Sequence, residues 1–328
     1  MRSVARCALR WHALAAVAST ATLVVMSACD KSPRPAPRSR VAASAPAESI
    51  PAPTDSAPAS LPAWDPAAGT VLLVRGDTPS AAWVVFPQYV DSALPDTVRF
   101  NLRPLRDAHV ELQARNGTED SARVASLTST TWVGDECIEW PRATVQRASN
   151  GAAPVDWSVA FVRGAVAPVP LDSIEGLSSP DSAQLAAELT RLASALPVPE
   201  SRTFRSIPFA VRTAYLFSAA PGIQGVIADV VQKLNQEANP LEQHTLIVAE
   251  HDSTHPDSTF RTVFHERTSG SEEKLETTEV LAAVRYSSSR RMALVLLRDG
   301  AESSAYALLE RSERGTWRVR WTSVYTGC

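Results

Sequence analysis

Short runs in which apolar and polar residues alternate dominate the chain from residue 70 onward. Residues 70–75 and 82–86 are rich in β-branched residues, and the turn residues 76–79 separate them, so they predict two strands. Residues 109–115 alternate and lead into Asn116-Gly117, a dipeptide that favours a tight hairpin. Further strand candidates in this region are 98–102, 122–127 and 156–162.

The C-terminal part repeats this pattern with short polar turns between strands. Its strand-like stretches are 245–250, 260–265, 280–286, 292–297, 304–309 and 316–325. Regular strands with frequent turns indicate antiparallel sheets. We therefore predict a mainly β chain with one or two helices (α+β), with antiparallel sheets in sandwich- or barrel-like subdomains.

The strand at 317–321 carries an aromatic stripe. Strict alternation places Trp317, Val319 and Trp321 on one face and Arg318 and Arg320 on the other. Such a stripe suits a sugar platform, but the buried side of a sheet is the favoured interpretation.

One segment has the spacing of an amphipathic helix. Ser179 suits the N-cap, Pro180 suits the first helical position, and Pro197 ends the segment. An apolar stripe at helical spacing lies between them: Leu185, Leu189, Leu192 and Leu196.

Residues 223–234 fit two structures. Their apolar residues recur at helical spacing, which favours a helix, but the run is β-branched and Gly222 and Gly225 resemble hairpin residues. The sequence leaves the choice open, and we expect a helix.

Length and charge restrict the function classes. The chain has 328 residues, enough for one large or two ordinary domains, and its apolar runs fall short of the roughly 20 residues that span a bilayer. The net charge is −3 overall and −6 over residues 66–328. An acidic body is a poor match for a phosphate backbone, so we expect no nucleic-acid partner.

The first 29 residues resemble the signal peptide and lipobox of bacterial lipoproteins. Three arginines precede a short apolar core at 13–25, and Met26-Ser27-Ala28-Cys29 follows, with Met26 where the pattern usually has leucine. The resemblance implies cleavage before Cys29, a diacylglyceryl group on its thiol, and anchoring to a bacterial membrane at the periplasmic face. Asp30 resembles the inner-membrane retention signal of enteric bacteria, although the choice of membrane stays open. The alternative is an ordinary secreted protein with an incidental cysteine.

Composition divides the rest of the chain. Residues 29–65 are rich in proline, alanine and serine, which predicts a disordered tether after the signal peptide 1–28. Fully extended, such a segment reaches about 100 Å. We expect a mainly β subdomain at 66–175, a helical connection at 176–200 and a β-rich subdomain at 201–328.

The lipoprotein resemblance also bears on the cysteines. Cys7 would leave with the leader and Cys29 would be lipidated, so Cys137 and Cys328 would remain in an oxidising compartment. We predict a Cys137–Cys328 disulfide, with separate buried thiols as the alternative.

Histidine spacing offers a weak metal motif. His251 and His255 are four residues apart, but Asp, Ser, Thr and Pro surround them, which is typical of a turn. A solvated hairpin loop is therefore favoured over a metal site, and we expect no cofactor.

Familiar catalytic motifs are missing from the sequence. It contains no G-x-S-x-G, H-E-x-x-H, phosphate-binding glycine loop or dinucleotide fingerprint. The sequence favours a binding or scaffolding module of the cell envelope, with an unidentified protein or glycan partner, over an enzyme. The alternative is an envelope hydrolase that uses His109 or the loop with His251 and His255.

Overall fold

The computed structural model describes residues 72–85, 105–128, 140–147, 156–197, 203–235, 240–255, 257–323 and 325–327. This part of the chain is mainly β, with antiparallel sheets and a single α-helix, which confirms the predicted fold class. Cys29, Cys137 and Cys328 lie outside the described residues, as do the leader, the tether and the candidate strand 98–102.

The described strands form three sheets. In chain order they are β1 (Leu72–Arg75), β2 (Ala81–Val85), β3 (His109–Gln113), β4 (Glu119–Thr128), β5 (Arg142–Arg147), β6 (Val159–Val162), β7 (Val166–Val169), β8 (Asp172–Ser173), β9 (Ala210–Ala220), β10 (Ile223–Leu234), β11 (Leu241–Asp252), β12 (Arg261–Ser271), β13 (Thr277–Tyr286), β14 (Met292–Asp299), β15 (Ser303–Arg311), β16 (Trp317–Thr322) and β17 (Thr326–Gly327).

The first six strands close into a barrel in the order β1-β2-β5-β4-β3-β6, and β6 pairs back with β1. Alternation divides each strand between the barrel interior and its outside. Leu73 of β1 points into the interior with Val84 and Leu112, whereas its neighbours Leu72 and Val74 pack outward. The turn at Asn116-Gly117 joins β3 to β4 as predicted, with Gly117 at φ +81°.

The other strands form a sandwich of two sheets. The central sheet has the order β16-β15-β14-β13-β7, with β17 also paired to β15, and the outer sheet has the order β12-β11-β10-β9-β8. Because β7 and β8 come directly after the barrel, the chain changes from barrel to sandwich near residue 163.

The layers stack so that the central sheet is covered on both faces. The outside of the barrel packs on one face, where Leu72 and Phe161 meet Val295 and Leu308. The outer sheet packs on the other face, where Ile227 and Val248 meet central-sheet residues. A strand covered on both faces reads as a continuous apolar run, and all of Met292–Leu296 in β14 is buried.

The single described α-helix, α1 (Ser179–Ala195), covers the free face of the outer sheet. The predicted stripe is buried at Leu185, Leu189 and Leu192. The N-cap is Ser178, one residue before the predicted position, and its hydroxyl accepts from the Asp181 N–H. No helix in the described parts of the chain combines the length and apolar character needed to cross a bilayer.

The prediction of a helix at 223–234 is wrong, because this segment forms strand β10. β10 lies between β9 and β11, with α1 on one face and the central sheet on the other. Apolar side chains are therefore needed on both faces, and the run loses the period-two alternation of a half-exposed strand. The β-branched composition was the informative signal.

The aromatic stripe of β16 is also divided. Leu308 pairs with Trp321 and Leu309 with Val319, so a bulge leaves Arg320 as an extra residue. Trp317 and Val319 consequently face the outer sheet, whereas Trp321 faces the barrel. Both tryptophans are buried, as the favoured interpretation required, but the prediction that they share one face is wrong.

Gly225 in β10 lets the Phe217 ring approach the backbone more closely than a residue with a side chain would allow. Its partner across the strands is Phe217, and a Cβ at Gly225 would lie 2.5 Å from the buried Phe217 ring. We expect Gly225→Ala to lower the free energy of unfolding by about 1–3 kcal/mol through overpacking. Urea unfolding measures this, with Gly176→Ala as the control because nothing lies within 4 Å of a Cβ there. Equal stability of both variants would contradict the packing.

Candidate functional site

A cleft of about 530 Å³ opens at the C-terminal end of α1. The last turns of α1, the segment at 203–209 and the ends of β10, β11 and β12 surround it. We call it the α1 cleft. Its lining residues are Thr190, Ala193, Ser194, Leu196, Phe204, Arg205, Ser206, Ile207, Pro208, Phe209, Gln232, Gln243 and Arg267. This volume lies within the range of small-ligand sites.

One wall of the α1 cleft is apolar. Phe204 is buried, and Phe209 and Leu196 are half-buried against the core beneath α1. Ile207 and Pro208 continue this wall along the segment at 203–209. The wall thus offers aromatic and aliphatic surface to an incoming group.

Two buried glutamines form the floor and hold the neighbouring segment. The Gln232 amide donates to the carbonyl oxygens of Phe204 at 3.0 Å and Ile207 at 2.5 Å. The Gln243 amide donates to Gln232 Oε1 at 2.7 Å. Because both side chains are almost fully buried, these bonds fix the segment at 203–209 to the sheet.

The α1 cleft carries two positive charges. Arg267 of β12 donates through Nη1 to the Pro197 carbonyl at 3.0 Å and through Nε to Thr245 Oγ1 at 3.3 Å. Burial lowers the pKa of Arg267. Arg205 is exposed in the turn before β9. Within the described ranges, neither guanidinium has a carboxylate within ion-pair distance, and the lining residues include no acid.

A second polar cluster lies on the outer sheet, on the strand face that carries Ile227 and Val248. The imidazole of His244 has its Nδ1 2.8 Å from Asp229 Oδ2 and its Nε2 2.9 Å from Glu242 Oε2. All three side chains are buried. Arg212 approaches Asp229 at 3.7 Å and Lys233 pairs with Glu242.

The charges in this cluster shift the pKa values of His244 and Glu242. Burial alone would lower the pKa of His244, but the hydrogen bond and charge of Asp229 and the hydrogen bond of Glu242 outweigh it and raise the pKa. Burial alone would raise the pKa of Glu242, but bonds from Lys233 and His244 and their charges lower it. In the protonated form, which the raised pKa favours, both ring nitrogens donate, to Asp229 of β10 and to Glu242 of β11, and no lone pair is left for a general base.

A third buried polar group lies in the interface between the outer sheet and the central sheet. Glu250 of β11 accepts two bonds from Arg311 of β15, at 2.7 and 2.9 Å. The Trp317 indole donates to the same carboxylate at 2.6 Å. This carboxylate therefore connects the outer sheet to two strands of the central sheet.

The histidines singled out from the sequence do not form one site. His251 lies on β11, with Nε2 2.8 Å from Gln224 Oε1 and its ring 4.4 Å from that of Phe260. His255 is 74% exposed in the following turn, where its Nδ1 lies 2.8 Å from Asp252 Oδ2. Among the described residues, no group of three or more His, Cys, Asp or Glu side chains is arranged to hold a metal ion. His109, the other catalytic candidate, is exposed on β3.

The loop of His255 instead has turn chemistry. The hydroxyl and backbone N–H of Thr254 both donate to Asp252 Oδ1. With a smaller contribution from His255, these bonds lower the pKa of Asp252 to about 2. This arrangement is an Asx turn, as the favoured interpretation of the sequence anticipated.

The α1 cleft and the His244 cluster were missed from the sequence. The cleft combines residues from α1, one loop and three strands, and no fixed spacing connects them. A signal for His244 does exist in the alternation of β11: Glu242 and His244 lie on the same strand face as the apolar residues Leu246 and Val248. Two polar residues in phase with an apolar face predict a buried ionic group.

Comparison with protein-family models, curated proteins and solved structures gives no match for this chain.

Proposed function

We propose that this protein is a lipid-anchored binding module of the bacterial cell envelope. The N-terminal leader and lipobox support the anchor at Cys29, and the proline-rich segment after it supports a spacer between membrane and body. The body offers its partner the α1 cleft. In this proposal the body faces an oxidising compartment, where Cys137 and Cys328 join in a disulfide.

The composition of the α1 cleft is the observation that carries the binding role. It joins an apolar wall to two arginines that have no acidic partner among the described residues, which is the arrangement of a recognition site. Its described lining has no histidine, cysteine or carboxylate to act as general base. The buried His244 lies outside it and is bonded at both nitrogens. These features favour binding over the alternative of an envelope hydrolase.

The anchor is tested by replacing the lipobox cysteine. We expect the wild-type protein to fractionate with membranes and its mature N-terminal peptide to carry the mass of a diacylglyceryl thioether, whereas Cys29→Ser abolishes both. Cys7→Ser is the matched control, because this cysteine lies in the leader and its loss leaves anchoring unchanged. An unmodified Cys29, or cleavage at another position, would refute the anchor.

The binding role is tested by filling the α1 cleft. Ser194 lies on the exposed side of α1 and lines the cleft, so Ser194→Trp adds bulk without disturbing the helix core. Native mass spectrometry of protein extracted from membranes is expected to show a bound component on the wild type and none on this variant. A wild-type protein without any bound component, together with no adduct from a photo-crosslinker at Ser206, would overturn the binding role.

A further inference from the structure

We propose that the α1 cleft binds a carboxylate attached to an apolar chain, with the carboxylate on Arg267 and the chain along Phe204 and Phe209. This inference rests on the proposed binding function and names the ligand class of that site. The same chemistry occurs in a free fatty acid and in a peptide that ends in apolar residues with a free C-terminus.

The state of the guanidinium gives the first reason. A guanidinium has five N–H donors, and Arg267 uses two of them, on the Pro197 carbonyl and the Thr245 hydroxyl. Three donors therefore have no partner among the described residues. A carboxylate accepts two parallel bonds from such a group. It also supplies the negative charge that a partly buried guanidinium needs to offset its lost hydration.

The charge balance gives the second reason. Residues 66–328 carry a net charge of −6, yet the lining of the α1 cleft that the structure describes has two arginines and no acid. An anion is therefore attracted locally to a molecule that repels anions elsewhere. Arg205, exposed at the rim, adds to this field and remains free to turn towards the ligand.

The partial charge at the C-terminal end of α1 favours a singly charged anion over a multiply charged one as the ligand. The helix terminates at Ala195, so its C-terminal carbonyl groups, which carry partial negative charge, lie beside the cleft. Phosphate sites use helix N-termini and glycine-rich loops, which supply backbone N–H groups. The α1 cleft has the opposite end of a helix, whose partial negative charge opposes any anion and opposes a doubly charged phosphate more than a singly charged carboxylate.

The apolar wall selects what the carboxylate is attached to. Phe204, Ile207 and Phe209 come from one short segment and line the cleft together with Leu196 of α1. Burial of a hydrocarbon chain against these side chains strengthens binding about fourfold per buried methylene group. The cleft volume of about 530 Å³ suits a medium-length chain.

Calorimetry on the full mature chain tests the inference, with decanoate as the probe below its micelle concentration. We expect decanoate to bind at least tenfold more tightly than decanol, which has the same chain without the charge, and more tightly than decyl phosphate. Arg267→Gln is expected to weaken decanoate binding at least tenfold and to leave decanol binding unchanged. Arg267→Lys keeps the charge and is expected to recover part of the affinity.

Arg261→Gln is the matched control. Arg261 is an exposed arginine of β12, six residues from Arg267 and therefore about 20 Å away along the strand, and it does not line the cleft. We expect its replacement to change no affinity. Equal losses in Arg261→Gln and Arg267→Gln, or binding of both decanoate and decanol with equal affinity, would overturn the carboxylate assignment.

Further arms identify the source of the ligand. A tripeptide with apolar side chains is measured with a free C-terminus and as its amide. Binding of the free acid but not of decanoate supports the inference with a peptide as the source, and the reverse supports a fatty acid. If none of these carboxylates binds while the wild-type protein still carries a component that Ser194→Trp lacks, the carboxylate inference fails and the binding role survives.

Discussion

Replacing His244 with leucine lowers the free energy of unfolding by about 3–5 kcal/mol, the range found when one member of a buried ionic group is removed. Leucine keeps a similar volume but removes the cation between Asp229 and Glu242, which are 6% and 9% exposed. Two like charges then face each other in the interior, and among the described residues only Arg212 and Lys233, at the edge of the group, compensate them.

Denaturant unfolding at pH 6 measures this loss. His255→Leu is the matched control, since that histidine is 74% exposed and contacts Asp252 in a solvated turn. We expect the control to lie within about 0.5 kcal/mol of the wild type. A loss in His244→Leu no larger than in the control would show that the cluster contributes nothing to the fold.

The same cluster predicts how stability depends on pH. The raised pKa of His244 gives a contribution that is complete below its ordinary value of 6.5 and is lost as the pH rises through the folded-state pKa. The lowered pKa of Glu242 gives a contribution that is complete above its ordinary value of 4.5 and is lost as the pH falls through the folded-state pKa. The cluster therefore stabilises the fold most between about pH 4.5 and 6.5.

Glu250→Gln is expected to cost about 3 kcal/mol or more, again because it leaves a buried charge unpaired. Glutamine keeps the size of the side chain and an oxygen for the Trp317 indole, but it removes the negative charge that two bonds from Arg311 require. The Arg311 side chain is 14% exposed, so water replaces little of what it loses.

The same unfolding assay is applied to two further variants: one removes the Trp317 hydrogen bond to Glu250, and the other is a surface control. Trp317→Phe removes one hydrogen bond to a charged group and keeps the aromatic packing, so we expect a smaller loss of about 1–3 kcal/mol. Glu188→Gln breaks the surface ion pair with Arg191 on α1 and is expected to leave stability unchanged. The ionic account fails if Glu250→Gln is as stable as Glu188→Gln.

The strands and the helix of this fold could largely be predicted from local patterns. Each of the six strand-like stretches after residue 240 contains a strand, although the last is shorter than predicted, and three of the four leucines of the α1 stripe are buried. The helix has one buried face, and the strands appear as short apolar or β-branched runs between polar turns, so a window of ten residues contains either signal.

The failures arise where a second layer or an extra residue intervenes. β10 is buried on both faces, so it lacks the period-two alternation of a half-exposed strand and its apolar residues recur at helical spacing. In β16, the bulge at Arg320 reverses the direction of Trp321. Neither the layer that covers the second face of β10 nor the bulge in β16 can be recognised from the residues adjacent in the sequence. Arg267 likewise reads as an ordinary strand residue, because the residues that make its surroundings apolar are remote in the chain.

The most direct test of the binding account follows the arginine side chains themselves. The ¹⁵N signals of the guanidinium Nε–H groups in the full mature chain are recorded while decanoate is added. We predict that the Arg267 signal moves and reaches a plateau as the ligand saturates, while the Arg261 signal stays in place. An Arg267 signal that does not move at saturation, or a shift shared equally by exposed arginines, would contradict the account.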